Sequence, residues 1–179
     1  ADSRALYVKQ YSNENKVALV IGNNKYQKFS KLRNAINDAR DMKDVLTQQG
    51  FEVLYKENAN RKQMKQIIRT FGRKIRNGGV GMFYYSGHGI EVNGKNFLIP
   101  INTDIEEKDE VEDEAIPINL VVNKMRSSNN RLNILVLDAC RNDPFSKGVG
   151  GGLAQINNAK GMYIAFATSP GNVASDGSG

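Results

Sequence analysis

One cysteine, one histidine and no long apolar run distinguish this sequence of 179 residues. A single cysteine excludes an internal disulfide, and a working thiolate needs reducing surroundings, so the cytoplasm is the expected compartment. No segment approaches the ~20 apolar residues that a membrane helix requires. No signal-peptide pattern opens the chain, although a start at Ala1-Asp2-Ser3 leaves trimming, and with it export, open. Four soft or imidazole ligands for zinc are lacking, and no metal ligand is assigned. No internal repeat is visible. The glycine-rich run Gly148-Val149-Gly150-Gly151-Gly152 lacks the Lys-Ser/Thr ending of a phosphate loop, so it reads as a linker rather than a nucleotide site.

What is present is an ordinary globular composition, with 40% hydrophobic and 25% charged residues, at a length that suits one domain. The net charge of +6 is unevenly spread, because eight acids crowd between Asp104 and Glu114. The plain reading of that run is a solvated loop; the alternatives are attraction of a cationic peptide or of a divalent ion. The basic residues are scattered along helices without interleaved aromatics, which argues against nucleic acid as the partner.

Apolar periodicity orders the chain as β-α-β-α-β-hairpin-α-β-β. Lys16 to Gly22 is a continuous apolar run, the pattern of a parallel strand covered on both faces. Asn34 to Gln49 carries a helical stripe of Ala35, Ala39, Met42 and Leu46, closed by Gly50, and a strand over Phe51 to Tyr55 follows. Asn60 caps a second helix with Met64, Ile67, Ile68, Phe71 and Ile75 on its buried face, ended by Gly78-Gly79. Val80 to Tyr85 is the third strand. Residues 90–99 alternate around Asn93-Gly94, a hairpin signal. A third helix over Ile118 to Ser127, a strand over Leu132 to Leu137 and a last strand over Gly161 to Ala167 complete the set. The expectation is an α/β fold with a largely parallel sheet and helices on both faces. Residues 1–15 read as an N-terminal extension and residues 16–179 as the domain. Its end on Asp176-Gly177-Ser178-Gly179 reads as truncated or processed.

The third and fourth strands lead into Tyr85-Ser86-Gly87-His88-Gly89 and Asp138-Ala139-Cys140-Arg141-Asn142. The sole histidine and sole cysteine are thus expected just past the C-terminal ends of two strands, where open α/β sheets form their sites. Taken alone, each has an inert reading, a buried thiol or a structural imidazole. Together, with glycines on both sides of His88, they read as a nucleophile and its base. Cys140 would supply sulfur, His88 would carry the proton, and the amides of Gly89 and Cys140 would face the oxyanion.

On these strings the chain resembles the caspase-like cysteine peptidases, in the branch of metacaspases, paracaspases and bacterial orthocaspases. Further matches are Ala18 to Tyr26, the Leu32-to-Asp38 stretch ending in Ile36-Asn37-Asp38, and Phe166-Ala167-Thr168-Ser169. The resemblance covers about residues 16 to 176 and implies the three-layer caspase-like sandwich, with His88 and Cys140 as the dyad and Gly89 as an oxyanion donor. It further implies Asp38 and Asp138 as acids of the first substrate pocket, with Asp176 a looser third match. Carboxylates in a narrow pocket favour a guanidinium or ammonium, so cleavage after Arg or Lys is expected. The competing readings are dipole complementation for Asp38 and backbone capping for Asp138. Ala167 to Ser169 are expected to pair with extended substrate, and Lys147 is a candidate self-cleavage site. No cofactor is required for the chemistry; the acidic run does not clearly reproduce a calcium spacing and leaves that requirement open. The resemblance to single-chain relatives favours a monomer acting on peptide or protein. The alternative function is a non-catalytic caspase-like interaction module.

Overall fold

A computed structural model describes residues 14–140 and 161–166, the side chain of Cys140 excepted. Five strands form the parallel body of the sheet: β1 (Lys16–Gly22), β2 (Glu52–Glu57), β3 (Gly79–Val92), β6 (Asn130–Cys140) and β7 (Met162–Phe166). Their spatial order is β2-β1-β3-β6-β7, and every adjacent pair runs parallel. Two short strands, β4 (Lys95–Leu98) and β5 (Ile116–Pro117), extend the C-terminal part of β3 as an antiparallel annex.

Parallel strands need crossovers, and the helices supply them on both faces. Helix α1 (Ala35–Gln48) buries Ala39 and Leu46 against Ala18, Val20, Met82 and Tyr84. On the opposite face α2 (Arg61–Lys74) and α4 (Asn119–Ser127) bring Met64, Ile68, Phe71, Val121, Val122 and Met125 onto Leu19, Ile21, Phe83, Leu135 and Leu137. Alternation along β1 and β3 therefore sorts neighbouring residues into two cores, which is why both strands read as unbroken apolar runs. Asn60 caps α2 as anticipated: its side chain accepts from the Gln63 amide, and Gln63 returns a bond to the Asn60 amide. Gly50 follows α1 at φ +87°, and the hairpin turn has positive φ at both Asn93 (52°) and Gly94 (77°).

Three features differ from the sequence expectation. First, β3 does not end at Tyr85 but runs on to Val92, and β6 runs on to Cys140. His88 and Cys140 lie within extended backbone rather than in loops beyond the strands. Second, the acidic run is not a plain loop; it holds a 3-10 turn (Lys108–Glu110) and helix α3 (Val111–Glu114), anchored by the fully buried Val111. Third, β5 occupies two residues that no periodicity could mark. No helix among the described residues is long and apolar enough to cross a membrane.

Candidate active site

The continuation of β3 creates the site. Ser86, Gly87 and His88 stay in register with Asp138, Ala139 and Cys140 on β6, so positions 88 and 140 are direct partners on adjacent parallel strands. Such partners are one strand spacing apart, ~4.8 Å. Beyond that point β3 leaves β6 and pairs with β4 at Gly89–Leu98.

The imidazole of His88 is buried, at 1% exposure, beneath the segment that follows β1. Its Nε2 lies 2.6 Å from the carbonyl oxygen of Ser30. A carbonyl only accepts, so Nε2 must carry the hydrogen there, and the neutral ring keeps its lone pair on Nδ1. The Tyr26 ring meets the imidazole edge-on at a centroid distance of 4.6 Å, and Phe29 lies against it at 5.7 Å. The Ser30 carbonyl and the two aromatic rings thus all bear on the imidazole.

Tyr26 also enters the strand ladder. The amide of Ile99 donates to the His88 carbonyl at 3.0 Å, but the return bond is replaced by a hydroxyl bridge. The His88 amide donates to Tyr26 Oη at 3.0 Å, and that hydroxyl donates to the Ile99 carbonyl at 2.8 Å. Tyr85 Oη donates to the His88 carbonyl at 2.6 Å. Burial pushes the Tyr85 phenol far above its ordinary pKa, with Tyr26 beside it adding to the effect, so it stays a donor. A Cβ on Gly87 would lie 2.5 Å from Tyr85 Oη and 2.8 Å from Tyr26 Oη; only glycine leaves room for the pair. The loop bearing Tyr26 is fixed in turn by Asn58, at φ 50°, whose side chain accepts from the amides of Asn24 and Lys25 at 3.0 Å each. The fully buried Asn23 accepts from the Ala59 amide at 2.9 Å.

Because His88 and Ile99 form a hydrogen-bonded type of pair, the next pair, Gly89 and Leu98, is of the alternate type. The Gly89 amide is consequently turned away from β4, toward the edge of β3 on which β6 lies.

Asp38 and Asp138 converge from different elements, the first turn of α1 and the end of β6, and both are half-buried. Tyr84 lies between them in effect. Its hydroxyl donates to Asp138 Oδ2 at 3.1 Å, and burial, then the charges of Asp138 and Asp38, drive its pKa well above the usual phenol value. Asp176, Lys147, the Gly148–Gly152 run and Ala167 to Ser169 lie outside the described residues. Among the described residues no group of three or more His, Cys, Asp or Glu is arranged to hold a metal ion, so the acids of 104–114 supply no cation cage there.

Sequence reasoning had assigned no role to Tyr26, Phe29, Ser30 or Tyr84. Tyr26 ends the Ala18-to-Tyr26 stretch, and its residue type is the one signal in the sequence for that hydroxyl. The Ser30 contribution is a backbone carbonyl, which no residue identity announces.

This arrangement, an imidazole and a cysteine position on neighbouring parallel strands of a three-layer α/β sandwich, is of the caspase type. The model of the caspase domain family matches residues 15–179, and the chain belongs to that family. It is 28% identical over 128 residues to human mucosa-associated lymphoid tissue lymphoma translocation protein 1, covering 72% of this chain and 15% of that protein. The mouse homologue matches with the same identity and coverage. The chain thus spans about 15% of the length of these curated relatives. A crystal structure of a Geobacter sulfurreducens protein superposes with a TM-score of 0.54 at 18% identity, covering 70% of this chain and 50% of that one, a likeness of fold alone.

Proposed function

We propose that this chain is a cysteine endopeptidase that cuts peptide bonds after Arg or Lys through Cys140 and His88. The observation that carries the reading is the register pair His88–Cys140, with the imidazole fixed by the Ser30 carbonyl. With Nε2–H donated to the Ser30 carbonyl, Nδ1 takes the thiol proton, and the thiolate attacks the peptide carbonyl. The tetrahedral oxyanion is met by the amides of Gly89 and Cys140; one such donor is worth about 3 kcal/mol of barrier. The imidazolium then returns its proton to the leaving amine, and water, deprotonated by the same ring, releases the acyl group. Asp38 and Asp138 receive the basic side chain, and their charge repels an acidic one. The chain acts as a monomer in a reducing compartment and needs no metal for this chemistry.

Turnover of fluorogenic peptides ending in Arg, Lys and Asp checks each part. Cleavage of the Arg and Lys peptides is expected, with loss to background in Cys140→Ala and in His88→Ala. Unchanged turnover in Cys140→Ala would remove the dyad, and cleavage confined to the Asp peptide would remove the pocket assignment.

A further inference from the structure

The two pocket acids do not stand alone: behind Asp138 lies a buried phenol. Tyr84 is 4% exposed in the core beneath α1, where a phenylalanine would pack equally well against Met82, Val20 and Val136. It instead carries a hydroxyl that donates to Asp138 Oδ2 at 3.1 Å. Ser86, two residues along β3, is the register partner of Asp138, so the phenol reaches its acceptor between neighbouring strands.

We infer that Tyr84 is a positioning residue of the substrate pocket, fixing Oδ2 of Asp138 so that Oδ1 is presented to the cationic side chain of the substrate. This rests on the reading that Asp38 and Asp138 receive that side chain. A carboxylate offers about four lone-pair sites on two oxygens. Left unsupported at a strand end, it would lose rotamer freedom when a guanidinium docked, and that loss would weaken binding. A neutral phenol removes this freedom without cancelling the charge. Burial keeps the phenol protonated, so it remains a donor while the pocket is empty.

The test measures recognition without chemistry. In the Cys140→Ala chain, calorimetry compares a peptide ending in arginine with one ending in citrulline, which has the same shape and no charge. The arginine peptide is expected to bind more tightly, and adding Tyr84→Phe is expected to shrink that preference about tenfold, the size of one charge-assisted hydrogen bond. Citrulline binding should stay constant, which a merely structural role for the hydroxyl would not predict. An arginine preference equal in both chains would overturn the proposal. No arginine preference in either chain would overturn it together with the acidic pocket, while the Cys140 and His88 turnover tests would still judge the peptidase reading separately. If Tyr84→Phe fails to fold, Tyr84→Met removes the same hydroxyl with another apolar side chain; an unchanged preference there would equally overturn the proposal.

Discussion

Gly87 shows how one missing side chain holds the site together. Two tyrosine hydroxyls converge on the space where its Cβ would lie, and those hydroxyls hold both backbone polar groups of His88. Gly87→Ala is therefore expected to cost about 1–3 kcal/mol by overpacking and to abolish peptide turnover by moving the imidazole. Gly94 is the matched comparison: it has φ +77° with nothing within 4 Å of a built Cβ. Gly94→Ala should cost about 1 kcal/mol through backbone strain alone and leave turnover intact. Denaturant midpoints and turnover rates measured on both variants check this; retained turnover in Gly87→Ala would count against the tyrosine clasp. At this scale the sequence marked His88 and Cys140 as candidates and missed what holds the imidazole. A histidine and a cysteine are rare and chemically distinctive, whereas the Ser30 carbonyl is present at every residue and acquires meaning only by position.

Among the elements, β2 and α1 are joined by a polar contact that links their stability to pH. Arg40 Nε lies 2.6 Å from Glu57 Oε1, and its Nη2 lies 3.1 Å from Oε2. Hydrogen bonds from Arg40, then Tyr55, hold the Glu57 carboxyl below its ordinary value of 4.5. A depressed folded-state value means the contact stabilises the fold above the unfolded value and loses that contribution as pH falls through the folded one. Glu57→Gln is thus expected to lower stability at neutral pH and to flatten its decline in acid. Urea midpoints between about pH 3 and pH 7 measure this; parallel acid limbs in the two chains would refute it. The elements themselves were largely legible. Continuous apolar runs, the Asn60 cap, Gly50 and the Asn93-Gly94 turn each act through neighbours close in sequence. What escaped was β5, at two residues too short to show a period, and the extension of β3 past Tyr85. The strand continues through Gly87 because Tyr85 of the same strand and Tyr26 from the segment after β1 fill the room that this glycine leaves.

Taken whole, the molecule is a sheet whose central strand does two jobs. The N-terminal half of β3 lies between β1 and β6 and is covered on both faces, while its C-terminal half carries the histidine and the antiparallel annex. Amides from Gly81 to Tyr85 should exchange with solvent only through global unfolding. Those of β2, a partly exposed strand paired on one side among the described residues, and of the short α3 should exchange earlier. Hydrogen exchange followed by mass spectrometry resolves these segments; equal protection of β2 and β3 would contradict the layered picture.

The amino-acid order alone determined most of the strand and helix order, the α/β class and the pairing of a histidine string with a cysteine string. Those features depend on periodicity, turn chemistry and residue type, which are all local. Only the tertiary structure decided that positions 88 and 140 are register partners, that the Ser30 carbonyl selects the tautomer, and that Tyr84 braces Asp138. Each of those contacts joins residues more than 50 positions apart, and it is the packing of separate elements that brings them within hydrogen-bonding range.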